Sequence, residues 1–358
     1  MKFGLSFASQ PSMVDIAVAA EGLGYDWVGF YDTPLVCSDP FVIAGMVASR
    51  TERIEVAISV AIPYLRLPHV LATAVGTLNQ IAPGRIALGF GTGYTGAQTT
   101  GSKPDTWSTV REQVRVCRAL LDGEEVETQI KGESRTIVHL HPDKGFVNFS
   151  DRVPIFISAL GPKGRRVSAE IGDELMTICG GRRAEAAAVE PDVSDFRAAL
   201  AETGREGVPV ALLTAMAVRG PDEAADSPRL RGFMGPWVTS HLHGDLGFSS
   251  DNPDTPDPIQ RATARYAELA AGHRADAPWI ENHRGHSTFV RSEEEILLDG
   301  PTLEAMCQIG TAEELIEEIR GLEEIGVERV VWQCIPGHEE EVERFSREVI
   351  GPYEAGAG

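Results

Sequence analysis

Eight times along the chain a short apolar run gives way to a stretch whose apolar residues recur at helical spacing, and this alternation constrains the fold most. The runs expected as strands are Lys2–Ala8, Trp27–Tyr31, Ile54–Ala61, Arg85–Phe90, Pro154–Ala159, Glu174–Cys179, Val208–Val218 and Arg329–Cys334. The expected helices are Ser12–Leu23, Pro40–Ser49, Pro68–Gln80, Trp107–Leu121, Lys163–Ile171, Ala184–Thr203, Ala312–Ile325 and His338–Val349. Strands that alternate with helices build a parallel sheet. Eight such units closing on themselves build an α/β fold of the TIM (β/α)8 barrel type, which accommodates 358 residues as one domain, 1–358. An open doubly wound sheet competes, but it does not need so even a repeat.

Two segments break the rhythm. Residues 125–150 read as a β excursion after the fourth unit, turning at Lys131-Gly132-Glu133. Residues 221–310, between the seventh and eighth strands, form the largest insertion, and connections that long usually act as covers or lids. This one is expected over the barrel mouth. It holds the densest aromatic and histidine content, with Trp237, His241, His243, Phe248, Trp279, His283 and His286.

Candidate binding loops follow from glycine and charge. PGRIALGFGTGYTG, ending at Gly96, gives a buried strand with a glycine-rich exit, where backbone can approach a ligand closely. Gly91, Gly93 and Gly96 satisfy G-x-G-x-x-G. The context opposes a nicotinamide fold, because the motif follows the fourth strand and turn material (Thr99–Asp105) replaces the helix that should begin inside it. SALGPKGRR is a second candidate. Gly161 gives backbone access, Pro162 suits a first helical turn, and Lys163, Arg165 and Arg166 add positive charge for an anion. Arg66 and Lys103, in the loops after the third and fourth strands, meet an anionic substrate or stay solvated.

The formal charge of −21 disfavours nucleic acid and anionic membranes as partners. An anionic ligand therefore needs a local basic patch. Five scattered cysteines without a C-x-x-C pair imply reduced thiols in a cytoplasmic protein. The N-terminus is too short and polar for a signal peptide, and no apolar run reaches the ~18 residues of a membrane span. In the insertion, His283 and His286 lie three apart, but Gly285 opposes a helix and no carboxylate completes a metal set, so no metal is expected. Substrate contact, proton transfer and a structural role stay open for them. For Trp237, His241 and Trp279, lining a substrate cleft and packing or exposure in the insertion stay open alike.

The pieces AEGLGYDWVGFYD, TERIEVAISVAIPYLRLP, GRIALGFGTGY, PIFISALGPKGRRVSAEIGDELM and GTAEELIEEIRGLEEIGVERVVWQ resemble the bacterial luciferase-like oxidoreductases, TIM barrels that use FMN or the deazaflavin coenzyme F420. The likeness is to the branch similar to methylenetetrahydromethanopterin reductase and covers nearly the whole chain. It implies a polar residue near the reacting ring edge at Asp32, where sugar-phosphate dehydrogenase relatives often carry His. It implies a non-prolyl cis peptide at Ser59-Val60, forming a bulge behind the ring, and cofactor contacts from Thr92 and Gly93. Tyr94 stands where some relatives have a glutamate acid, which puts a sugar-phosphate substrate in doubt. Ala159, Leu160, Gly161, Pro162 and Lys163 match the phosphate loop, with Thr177, Cys179 and Gly180 close by.

The resemblance thus implies an F420-dependent oxidoreductase moving a hydride between the deazaflavin and a small organic substrate. Asp32, Tyr94, His283 or His286 would handle the proton, and Arg66, Trp237, His241 and Trp279 would meet substrate. The alternative is an FMN-dependent monooxygenase, and a third reading is a flavin- or deazaflavin-binding protein without turnover. A homodimer is expected, as is frequent in the family.

Overall fold

A strand buried on both faces reads as a continuous apolar run, and eight such runs hydrogen-bond side by side in parallel in the computed structural model, which describes residues 1–243 and 255–356. They are β1 Lys2–Phe7, β2 Trp27–Phe30, β3 Glu55–Ala61, β4 Ile86–Phe90, β5 Ile155–Ser158, β6 Glu174–Ile178, β7 Val210–Thr214 and β8 Arg329–Cys334. The sheet closes where β1 pairs with β8, Leu5 opposite Trp332. This is a TIM barrel. Phe248 lies outside the described residues.

Side chains alternate across each strand, so every second residue faces the barrel interior. At the N-terminal end Arg329 bridges Glu55 at 3.3 Å and Glu174 at 3.2 Å. The next layer holds Trp27, Ala57, Ala87, Phe156, Met176, Ala211 and Val331. Two large rings fit there only because their neighbours are small. A Cβ on Gly29 would lie 2.1 Å from the Trp27 ring, and one on Gly89 would lie 2.3 Å from the Phe156 ring. The opposite strand faces carry Leu5, Val28, Ile58, Leu88, Ile157 and Val330, which pack under the helices.

Three expectations need correction. Val208–Val218 is not one strand: β7 ends at Thr214, and Met216–Val218 leaves the barrel to pair with Gln308–Gly310. The glycine-rich exit of β4 does contain a helical turn, Tyr94–Gln98, because Gly93 at φ +77° turns the chain into it. The last helix is not regular. Glu340–Phe345 passes through a π-turn at Ser346–Ile350 into Gly351–Ala355. Within 125–150, Val126–Ile130 and Glu133–Ile137 form an antiparallel hairpin. The long connection between β7 and β8 contributes the helices Pro228–His243, Asp257–Ala270 and Gly300–Met306. No helix among the described residues is long and apolar enough to cross a membrane.

Candidate active site

The carboxyl ends of the strands surround a cavity of about 240 Å³, open on one side. Its floor and walls come from strand ends: Ser59 and Val60 of β3, Gly91 to Gly96 after β4, Ser158 at the end of β5 and Leu160 after it, Met176 and Ile178 of β6, and Gln333 of β8. The insertion closes one side with Trp237, Ser240, His241, His286 and Ser287. The Ser59–Val60 peptide is cis, and the pairing of β3 with β4 shifts register between Ile58 and Ala61. The glycines let the exits of β3 and β4 pack this closely. A Cβ at Gly93 would meet Ile62 at 2.1 Å, and one at Gly91 would meet Val60 at 3.0 Å.

Asp32 lines the cavity but is not a free acid. Arg66 holds it in a bidentate fork, Nε donating to Oδ2 at 2.8 Å and Nη2 to Oδ1 at 3.1 Å, and also binds Asp39 at 2.8 Å. Gln113 fixes the Arg66 backbone by donating to its carbonyl at 2.7 Å, and the guanidinium stacks on Phe41 at 4.4 Å. Burial raises the Asp32 carboxyl above its ordinary value, with Arg66 opposing. Arg66 is therefore corrected from a substrate contact to a partner of two carboxylates, and it lies outside the cavity lining. Tyr94 lines the cavity as the first residue of the helical turn.

The histidines of the insertion are buried together. His241 Nδ1 donates to the Trp237 carbonyl at 2.8 Å, and burial lowers its imidazole to about 4. His286 lines the cavity, with Nε2 at 3.2 Å from Thr95 Oγ1 and Nδ1 at 3.4 Å from His243 Nδ1. His243 Nε2 is 2.5 Å from Glu294, which Arg291 also holds at 2.5 Å. Burial acts to raise the Glu294 carboxyl, but the hydrogen bonds from His243 and Arg291 win and hold it at about 2. Burial and the neighbouring histidines hold His286 well below its usual value. The His283 ring lies tilted against His286 with ring centres 5.3 Å apart and is not part of the cavity lining. Trp279 also lies outside the lining, against Gly101. No group of three potential ligand residues among those described could hold a metal.

The candidate phosphate loop continues the cavity wall. Ser158 and Leu160 line the cavity, Ala159 is buried, and Gly161 caps the helix Pro162–Ile171 without any side-chain cap. A Cβ at Gly161 would meet nothing within 4 Å, so the space before the helix is open. Lys163 and Arg166 are exposed there. Arg165 is not part of the basic patch expected from sequence. It is buried, donates to the Leu160 carbonyl at 2.5 Å, and pairs with Asp192 and Asp195. Thr177 and Cys179 face a separate small hollow beside Arg182 and Asp192, next to Gly180 at φ +58°.

Sequence reasoning missed Thr95, Ser240, Ser287, Glu294 and Gln333. The Gln333 amide donates to the Ser287 carbonyl at 2.9 Å, and Ser240 Oγ accepts from the Ser287 N–H at 2.6 Å, which pins the segment carrying His286 to the barrel and to the helix Pro228–His243. Gln333 was findable, since alternation from Arg329 and Val331 points it inward.

A planar ring system suits this site. Its floor is built on glycine backbone, its walls are mostly apolar, and Trp237 Nε1 and Gln333 Oε1 are buried there without a partner among the described residues. Residues 7–329 match the family model described as luciferase-like monooxygenase. The chain belongs to that family. It is 30% identical over 201 residues to an F420-dependent glucose-6-phosphate dehydrogenase of Nakamurella multipartita, covering 50% of this chain and 57% of that one. It is also 30% identical over 186 residues to a 5,10-methylenetetrahydromethanopterin reductase of Archaeoglobus fulgidus, covering 49% and 52%. The chain thus spans about half the length of the curated relatives it matches. Among solved structures, the coenzyme F420-dependent tetrahydromethanopterin reductase from Methanopyrus kandleri superposes with a TM-score of 0.72 at 19% identity, covering 98% and 99%. The FMN-bound oxygenating constituent of 3,6-diketocamphane monooxygenase of Pseudomonas putida gives 0.64 at 16% identity, covering 98% of each chain. At these identities the two superpositions speak for the barrel alone.

Proposed function

We propose that this member of the luciferase-like family is an F420-dependent oxidoreductase acting on a small organic substrate. One observation carries the reading. The segment from Ser158 to Lys163 runs without interruption from the wall of a glycine-floored cavity to an open helix N-terminus. A planar ring joined to an anionic phosphate has that shape, and helix N-termini favour anions through their unpaired N–H groups. F420 is preferred to FMN because the sequence relatives at about 30% identity are F420-dependent or act on a methanopterin.

When bound, the deazaflavin would accept or supply a hydride. The protein's share is placement and proton management. Val60, Gly91 and Gly93 would back the ring. The Gly161 loop, with Lys163 and Arg166, would hold the phosphate. Trp237, His241 and the rest of the insertion would keep water from the substrate face. Asp32, tied to Arg66, would supply fixed negative charge near the ring edge. His286 and Tyr94 remain as the groups able to exchange a proton at the cavity wall.

Fluorescence titration of purified protein with F420 and with FMN tests this directly. Expected are tight F420 binding, weak FMN binding, and loss of F420 affinity by about 10- to 100-fold in Gly161→Trp, the worth of about one charge-assisted hydrogen bond. The melting temperature of that variant should stay put, because the site faces open space. Tight FMN binding with oxygen-dependent turnover would replace this reading with the monooxygenase. Unchanged F420 affinity in Gly161→Trp would displace the phosphate from the loop. Bound cofactor without turnover of any alcohol, aldehyde or ketone would leave a binding protein.

A further inference from the structure

Two buried polar atoms on the cavity lining have no partner among the described residues, and their chemistry fixes what each one needs. Trp237 Nε1 is the first. An indole N–H only donates, so it needs an acceptor. Gln333 Oε1 is the second. Its assignment follows from its neighbour. The Gln333 amide nitrogen donates to the Ser287 carbonyl at 2.9 Å, and turning the amide over would set oxygen against oxygen. The amide oxygen is therefore the atom left over, and it needs a donor. Trp237 and Gln333 are 6% and 2% exposed, so neither is open to bulk solvent. A buried donor or acceptor left unpaired is costly, which marks both as points of recognition.

The two residues belong to one braced unit. Ser287 N–H donates to Ser240 Oγ at 2.6 Å, Ser240 Oγ donates to the Pro236 carbonyl at 2.6 Å, and Trp237 follows Pro236 in the same helix. A side chain of β8 and a side chain of the insertion are thus held in a set relation, as a recognition site requires. Charge narrows what they can recognise. The described lining contains no lysine or arginine, and the sequence of 244–254 supplies none. Its one carboxylate, Asp32, is paired with Arg66, which Asp39 shares. Burial holds His241 at about 4 and His286 well below its usual value, so neither ring offers a cation near neutral pH. Further back, Arg291 is shared between Glu293 and Glu294. An anion entering this cavity would lose its hydration without meeting a free cation.

We propose that the substrate of this cavity is an uncharged molecule that brings a hydroxyl or amide N–H to Gln333 Oε1 and a carbonyl or hydroxyl oxygen to Trp237 Nε1, with Gln333 as the residue that selects for the donor. The proposal rests on the oxidoreductase reading given above and narrows its substrate. Phosphate esters and carboxylates are disfavoured because nothing on the lining offsets their charge. Plain hydrocarbons are disfavoured because they would leave both atoms unpaired. A site built to pair with a substrate's donor discriminates against the analogue that lacks it.

Proton–nitrogen NMR of cofactor-free protein tests this with three probes of matched ring size. They are 2-pyrrolidinone, which donates and accepts; cyclopentanone, which only accepts; and cyclopentanecarboxylate, an anion. The Trp237 indole signal is identified by its loss in Trp237→Phe. The lactam should move that signal downfield and saturate. It should bind about 3- to 10-fold tighter than the ketone, the worth of one neutral hydrogen bond. The carboxylate should give no saturable shift over the same concentrations. In Gln333→Met the lactam and the ketone should bind alike. If Gln333 served only to brace Ser287, both probes would weaken together and their ratio would persist. A lactam that fails to saturate, or a carboxylate that binds as tightly, would overturn the uncharged substrate class. Equal lactam and ketone affinities in the wild type, or a ratio unchanged in Gln333→Met, would remove Gln333 as the selecting residue. No cofactor is present, so these outcomes and those of the F420 titration are read independently.

Discussion

The barrel interior and the cavity floor share one contact, and Gly89→Ala tests whether they are coupled. A Cβ at Gly89 would lie 2.3 Å from Cε2 and Cζ of Phe156 and 2.7 Å from Cγ1 of Val60. Ordinary carbon contacts are about 3.5–4.0 Å, so the ring must retreat by more than about 1 Å. It has nowhere to go. Phe156 is buried edge-to-face against Trp27, centroids 6.2 Å apart, and Trp27 in turn lies over Gly29. Overpacking of this kind costs about 1–3 kcal/mol, and the tightness of both contacts argues for about 3. Phe156→Leu alone removes buried carbon and should cost about 2 kcal/mol, below the range for truncation to alanine. In the double variant the leucine vacates the space that the new methyl needs. The pair should therefore lose about 3 kcal/mol rather than the 5 that addition gives, a coupling within the span known for contacting residues. Urea unfolding of the four proteins measures this. Additivity within about 0.5 kcal/mol would refute the packing argument. The floor supplies a second readout: the methyl also presses Val60 toward the cavity, so cofactor affinity should fall in Gly89→Ala and recover only partly in the double variant.

Two further outcomes follow from buried charges. Arg66→Met leaves Asp32 buried without its cation. Breaking a buried pair costs about 3–5 kcal/mol, and Arg66 is partly exposed and so partly screened, which suggests a loss of about 2–3 kcal/mol at pH 7.5. A raised carboxyl binds its proton more tightly folded than unfolded, so stability falls as pH rises, and the variant should lose less at pH 5. Equal losses at both pH values in thermal unfolding would show that Asp32 is not the cause. Glu174, at the other end of the barrel, is pushed up to about 7 by burial, with Arg329 opposing and Glu55 adding repulsion. The unfolded chain ionises this group from about 4.5 upward while the folded barrel resists, so native stability is lost between those values. Glu174→Gln should flatten the stability profile between pH 4.5 and 7, and an unchanged slope there would contradict the burial argument.

The barrel was legible because its signals are local. Continuous apolar runs alternate with 3.6-residue periodicity, and each pattern reports burial within a few residues of itself. What stayed hidden depends on partners far along the chain. VALLTAMAV contains no turn residue, so nothing local separates β7 from Met216–Val218, whose pairing partner begins at Gln308. Arg66 looked available for a substrate because its two carboxylates sit 34 and 27 residues away. Glu294 lies in Ser-Glu-Glu-Glu, which resembles a solvated acidic turn, yet it is 0% exposed because His243 arrives from 51 residues upstream. Floor residues such as Ser59, Val60, Thr92 and Gly93 came from the family resemblance, and each sits at a strand's carboxyl end, where a TIM barrel places its site.

This division bears on where the chemistry of this chain resides. The carboxylate that the barrel rim offers, Asp32, is held by a guanidinium through two hydrogen bonds, so protonating it would sacrifice a charge-assisted pair. His286 is tied into no such carboxylate–guanidinium pair, since its ring faces the Thr95 hydroxyl and the His243 ring. On that argument the strand ends hold a ring still while the insertion moves the proton. Exchanging residues 221–310 between relatives should therefore alter proton-transfer behaviour and substrate range while leaving cofactor affinity nearly intact. Substitutions in the β3 and β4 exits should do the reverse. A single exchange that moved both properties together would mean that ring and proton donor are not built by separate parts of the chain.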